Sequence, residues 1–597
     1  MPALTDHRSF NPETALIDVL RDPRGHEVIA RHLPGLVRSS ILHTLHGYPV
    51  GLVLETEAGV AHDADARGRI LAEITAIPRD VGVPRPAPER WVAPSPDYEE
   101  RGSTPGSARA EWNDVVPAFS RFELRLEGPS HGNPFVDVAL TAQVSGPDGT
   151  VTVPGFYDGG GRFRLRFMPD KQGEHVFVTS SNAISLDGIS GSFLVSEAEV
   201  GMHGPVRVAD TFHFAYADGL RFRPIGTTAY AWTHQGSEVE QRTLEALAAA
   251  PFTKVRMCVF PKSYLFNENE PELYPFEGSP AAGFDFSRPA PAYWAHLEER
   301  IDQLAGLGIE ADLILFHGYD RWGFATMDPV ADDRYVAYAV ARLGAFANVW
   351  WSLANEYDLL FTKGTDDWER LAEVIRHNDP YGHLLSIHNC RAFFDHSRSW
   401  VTHASIQRQD IYKTAEMTTE WRERWGKPVV IDECAYEGNI DQGWGNITGQ
   451  ELTRRFWEGA VRGGYVGHGE TYVHPDDVLW WSKGGDLRGT SPARISFLRE
   501  ILEAGPEVLE PNPLDWDVPR AGIDGEYYLY YFGFAQPTYR RFLLDPSVTY
   551  TVDVIDTWNM TITRLDGTYS GRFRIPLPGI QYLAVRLQAI RSSAQPS

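Results

Sequence analysis

The sequence predicts an α/β protein: a (β/α)8 TIM barrel flanked by two β-sandwich domains and preceded by a small helical module. Three observations predict it. Between about residues 204 and 508, short β-branched runs alternate with helical stripes, as a parallel barrel requires. On either side, over 111–203 and 509–597, the hydrophobic period falls to two and turn residues interrupt it, which suits sandwiches. Two of the barrel runs stop abruptly at acids, Asn355-Glu356 and Glu433, and the carboxyl ends of barrel strands are where reactive groups sit.

Composition narrows the function. The 597 residues are 43 % hydrophobic and 23 % charged, an ordinary globular balance. A net charge of −25 disfavours nucleic acid and anionic membrane surfaces as partners. The three cysteines, Cys258, Cys390 and Cys434, lie in or beside expected buried strands without metal-ligand spacing, so structural thiols are expected rather than disulfides. No basic start followed by an apolar core opens the chain, and no stretch approaches a membrane span; the expected location is cytoplasmic.

In order, residues 1–85 read as a helical module. Leu16, Val19 and Leu20, then Val28, Ile29, Leu33 and Leu36, recur at helical spacing between Pro and Gly stops. It is expected to pack on its neighbours or to mediate homo-oligomerisation, a role open also to the first sandwich. Residues 86–110 have a Pro- and Gly-rich linker composition. The first sandwich alternates over Phe122–Leu126, Val136–Val144 and Phe163–Phe167.

The barrel strands are expected at Arg223–Thr228, Lys254–Phe260, Ala311–Phe316, Val349–Asn355, Leu384–His388, Val401–Gln407, Pro428–Glu433 and Tyr465–Tyr472. Ser237 and Glu240 suggest a capping box for the first helix, and Trp368, Leu371 and Ile375 stripe the fourth. Long rim loops are expected after strands two and four. The second sandwich alternates over Tyr527–Phe534, Tyr550–Ile555, Thr561–Leu565 and Tyr582–Leu587.

Strands four and seven lie on roughly opposite sides of an eight-stranded barrel. Glu356 and Glu433 can therefore face one another across a sugar ring. Breaking a glycosidic bond needs a proton for the leaving oxygen and a stabiliser for the cationic sugar carbon, and two carboxyl groups supply both. Asn355 is placed to meet a sugar hydroxyl. Arg256, in an apolar strand, is costly to bury without an anion, and Glu433 is the expected partner. His317, His388 and Gln407 close other strands and suit a polar sugar pocket. Trp232, Tyr436, Trp480 and Trp481 are candidate stacking platforms, and Asp432 should point away from Glu433 by strand alternation.

The barrel resembles the large clan A of (β/α)8 retaining glycoside hydrolases, with Asn-Glu ending strand four and Glu ending strand seven. Within that clan, "IGTTAYAW" and "VIDECAYEGN" look like apiosidase-like barrels, which carry an N-terminal DUF5060-type and a C-terminal DUF5605-type sandwich. The resemblance covers residue 111 to the end. It implies Glu356 as general acid/base, Glu433 as nucleophile and Glu437 as a second acid that binds substrate hydroxyls. The expected activity is exo-acting hydrolysis of oligosaccharides or glycosides by double displacement, without a cofactor. Two rivals are a sugar-binding or scaffold protein on a dead barrel and a metal-dependent hydrolase, although strand one lacks the His-x-His pair that metal chemistry usually wants.

Overall fold

A computed structural model of the chain describes residues 9–590, apart from 39–41, 46–47, 58, 79–94, 96, 101, 265, 411, 477 and 514–516. Much of the expected linker (86–94, 96 and 101) and the first eight residues lie outside the described residues.

The centre is an eight-stranded parallel barrel. Its strands are β1 (Gly226–Thr228), β2 (Lys254–Cys258), β3 (Glu310–His317), β4 (Val349–Asn355), β5 (Leu385–Ser386), β6 (Ala404–Gln407), β7 (Val429–Glu433) and β8 (Tyr465–His468). Neighbours pair in that order and β8 returns to β1. Between β5 and β6 the ladder is reduced to Thr402, whose N–H donates to the Leu385 carbonyl at 2.9 Å and whose Oγ1 accepts from Leu385 N–H at 2.9 Å.

Several expected elements differ. The first strand covers only Gly226–Thr228 of the expected Arg223–Thr228, and Arg221–Phe222 just before it joins Val206–Ala209 and His213–Tyr216 in a small antiparallel sheet. Phe214 and Phe222 of that sheet pack on Trp350 near the start of β4, so it covers the amino-terminal end of the barrel. The eighth strand stops at His468, and Glu470–Thr471 pairs with Glu437–Gly438 instead. The helix Ser237–Ala249 starts after Gly236 without a side-chain cap; Glu240 instead pairs with Arg300 at 2.9 Å, so the capping box is not formed. The loop after β4 is short, because a helix already begins at Thr365. The rim is raised by the segment after β2, which holds the hairpin Phe276–Ser279 and Gly283–Pro289, and by the segments after β7 and β8.

The barrel interior is charged rather than filled only with branched apolar side chains. Lys254 Nζ lies 2.6 Å from Asp312 and 2.7 Å from Asp432. Arg256 is 3.8 Å from Asp312 and 3.6 Å from Asp432. All four side chains are buried, and two cations against two carboxylates leave the layer neutral, as burial demands. Asp432 points to this layer and Glu433 does not, in keeping with alternation.

The first sandwich, residues 109–196, packs on the barrel helices through buried ion pairs: Arg166 with Glu298 at 2.6 Å and Arg342 with Asp158 at 2.8 Å. The second, residues 520–589, stacks Tyr531 on Trp457 of the helix Gly449–Val461. The amino-terminal helices, from Leu16–Arg21 to Ala64–Thr75, enclose their own core of Leu16, Val19, Ile29, Leu54 and Ile74. They dock on the barrel helices Thr365–Asn378 and Thr418–Trp425. The Asp18 carboxylate accepts from Thr365 N–H at 3.1 Å and from its hydroxyl, and Arg424 meets Glu13 at 3.3 Å. Among the described residues no helix is long and apolar enough to cross a membrane.

Candidate active site

The carboxyl ends of β4 and β7 bring Glu356 and Glu433 to one polar centre. Glu356 is the first residue after β4 and adopts φ 52°, in the left-handed region, a conformation that costs a non-glycine residue energy and recurs at functional sites. Its carboxylate accepts from the Tyr319 hydroxyl and, at 3.2 Å, from Asn355 Nδ2. The Tyr230 hydroxyl donates to Glu433 and is 3.1 Å from Asn355 Oδ1. Arg256 Nη2 donates to the same Asn355 oxygen at 2.9 Å. Asn355 thus ties the two acids to the charged layer beneath them. Glu356 is 6 % exposed and Glu433 4 %. Burial, and then the neighbouring charge of Glu433, push the Glu356 carboxyl up to about 7, a carboxyl that keeps its proton near neutrality.

The expected substrate residues divide. Arg256 is compensated by Asp432 and Asp312, not by Glu433, because its side chain turns into the barrel interior. His317 is buried between the Phe260 carbonyl at 3.2 Å and the Tyr319 N–H at 3.3 Å; it positions Tyr319. His388 lies 3.9 Å from Glu433, and neither of its ring nitrogens has a hydrogen-bond partner. Gln407 Oε1 is unpartnered too. Orphaned buried polar atoms beside the acids fit a polar ligand. The buried Tyr436 side chain lies against Glu433.

Four of the other expectations are corrected. Glu437 accepts from Thr490 N–H at 2.7 Å and Ser491 N–H at 2.9 Å, so it caps the helix Ser491–Glu503 and offers substrate nothing. Trp232 is fully buried in the barrel core. Trp480 is in the same core, its Nε1 donating to Thr227 Oγ1 at 2.9 Å. Trp481 packs edge-on against Tyr230, and its face is covered by Lys262 Nζ at 4.6 Å. None of these three indoles can stack on a sugar. Tyr264, Phe266 and Trp444, only partly buried, pack against the Tyr230–Tyr436–Trp481 cluster.

Three residues of the centre were not expected: Tyr230, Tyr319 and Lys262. Tyr230 follows β1 by two positions, and Tyr319 follows β3 by two, so their strand-end placement was the available signal. Lys262 had none, since only the fold brings it over the Tyr230 ring. Among the described residues no group of three or more His, Cys, Asp or Glu is placed to hold a metal ion.

The comparisons agree with this architecture. The apiosidase-like catalytic domain matches residues 209–498. A domain of unknown function, DUF5060, matches 115–182 and another, DUF5605, matches 516–588. A crystal structure described as a candidate glycoside hydrolase from Bacteroides vulgatus ATCC 8482 is 39 % identical, with a TM-score of 0.77, over 80 % of this chain and 100 % of that one. A family 5 glycoside hydrolase from the same organism shares the fold at 16 % identity and a TM-score of 0.51, over 65 % of this chain and 93 % of that one. No curated protein matches. With a relative of that identity aligned over its whole length, the chain belongs to the apiosidase-like glycoside hydrolases, whose catalytic barrel here lies between a DUF5060 and a DUF5605 domain.

Proposed function

We propose that this glycosidase works by double displacement with retention, that Glu356 is its general acid/base and Glu433 its nucleophile, and that it acts from the end of its substrate. One observation carries the reading: two nearly buried acids end β4 and β7, and Glu356 is held at about 7. A buried carboxyl that holds its proton near neutrality suits the general acid, which leaves Glu433 for the nucleophile role. Protonated Glu356 gives its proton to the leaving oxygen while the Glu433 carboxylate bonds to the anomeric carbon. Water, deprotonated by Glu356, then attacks that carbon and releases Glu433. Asn355 and Gln407 hydrogen-bond sugar hydroxyls in this scheme, and the Tyr230 hydroxyl orients Glu433. The low exposure of both acids supports a closed pocket and an exo mode.

Aryl glycosides test the proposal, with NMR of the first product anomer. Glu433→Ala should abolish turnover, and azide should restore part of it as the glycosyl azide of inverted configuration. Glu356→Ala should slow poor leaving groups far more than activated ones. An inverted product from the wild type, or equal losses on both kinds of leaving group, would refute the assignment.

A further inference from the structure

Lys262 is a cation at this centre that the mechanism leaves unused. Its side chain is 2 % exposed. Nζ lies 3.7 Å from the centre of the Tyr230 ring, 4.3 Å from that of Tyr319 and 4.6 Å from that of Trp481. The hydroxyls of those two tyrosines are the ones bound to Glu433 and Glu356, so the ammonium sits between the supports of both acids. Aromatic faces favour a cation but offer no lone pair to its N–H groups. Among the described residues Lys262 Nζ takes part in no hydrogen bond and no ion pair. The other two cations of the barrel interior, Lys254 and Arg256, each have two carboxylates within reach. Lys262 therefore presents three unused donors and a charge without an ion-pair partner beside the tyrosines that hold the two acids.

A hydroxyl of a neutral sugar would accept one of those hydrogen bonds and leave the charge in place. Positive charge there opposes the oxocarbenium-like transition state of glycoside cleavage. A carboxylate on the glycone accepts the bonds and cancels the charge together. We propose that Lys262 selects a glycone that carries a carboxylate, a uronic acid residue, and that the enzyme is a uronidase. The proposal rests on the reading of Glu356 and Glu433 above. Burial pulls the Lys262 amine below its ordinary value, while the thiol of Cys258 and the two acids pull it up, so a paired carboxylate would also hold it charged.

The test uses matched aryl glycosides that differ only at C6: glucoside against glucuronide and galactoside against galacturonide, each as both anomers. The uronide of at least one pair should be hydrolysed at least about tenfold faster in kcat/KM than its neutral partner. Lys262→Met, which keeps the length and suits an aromatic box, should lower kcat/KM for that uronide by about 100-fold, and by at least about tenfold more than for the neutral partner. Turnover confined to neutral sugars, or equal losses on both members of a pair, would overturn the proposal. Calorimetry on Glu433→Gln, titrated with free glucuronate, galacturonate, glucose and galactose, reads the same preference without catalysis. Tighter binding of a uronate that Lys262→Gln removes supports the proposal even where no glycoside is cleaved, and no preference for either uronate overturns it. Absence of all hydrolysis together with uronate binding would instead count against the two-acid reading.

Discussion

Glu356 should make the protein less stable as the pH rises, and Glu356→Gln should remove that loss. Its carboxyl moves from 4.5 in the unfolded chain to about 7 in the fold, so the folded protein binds the proton more tightly. Below 4.5 both states are protonated and nothing is lost. As pH rises from there the unfolded chain ionises first, and the penalty grows until the folded carboxyl ionises near 7. At 1.36 kcal/mol per pH interval the full penalty is about 3 kcal/mol. Between pH 5.5 and 8.5 it should increase by about 2 kcal/mol. Glutamine has nearly the same shape and no charge. Urea unfolding, followed by the tryptophan fluorescence of the barrel, should therefore show Glu356→Gln gaining on the wild type by about 2 kcal/mol between those pH values. A difference that is flat with pH, or that shrinks, would refute the account of a buried, charge-coupled carboxyl. In the wild type the same group should set the alkaline limb of kcat/KM, with activity falling as Glu356 loses its proton near pH 7.

Three further outcomes are expected. Asp432→Asn takes a carboxylate from Lys254 and Arg256 at once and should cost about 3–5 kcal/mol in urea unfolding; a loss under 1 kcal/mol would mean that the layer is not held by its charges. Glu437→Gln should lower the free energy of unfolding by about 1–2 kcal/mol through the weakened cap on Ser491–Glu503, with KM unchanged, whereas a large rise in KM would restore Glu437 as a sugar contact. Asp18→Ala should cost about 1–3 kcal/mol through the orphaned Thr365 groups, and an unchanged midpoint would show that the docking of the amino-terminal helices is not stabilised there.

How much could be read beforehand follows from what each pattern reports. The strands β2, β3 and β4 are buried on both faces and carry apolar stretches such as Leu313–Phe316 and Val349–Trp351, interrupted by the charges of Lys254, Arg256 and Asp312, so they are visible in the sequence. β1 and β5 lie within their expected stretches but are shorter, because two or three residues of ladder leave almost no boundary signal in the sequence. The strand-end acids were legible because an acid after an apolar run is unusual. Arg256 was legible as a costly buried cation but not its partner, since Asp432 and Glu433 are adjacent in sequence and only the strand's two faces separate them.

Local sequence therefore determined the main element types, the domain order and the strand-end position of the two acids, because hydrophobic period and chain breaks are properties of neighbouring residues. Tertiary structure alone decided what each polar or aromatic side chain does. Trp232 and Trp480 became core and Glu437 became a helix cap. Lys262 came to lie between tyrosines 32 positions before it and 57 after it. Burial and partnership depend on which distant strands close the barrel, and no local spacing encodes that closure.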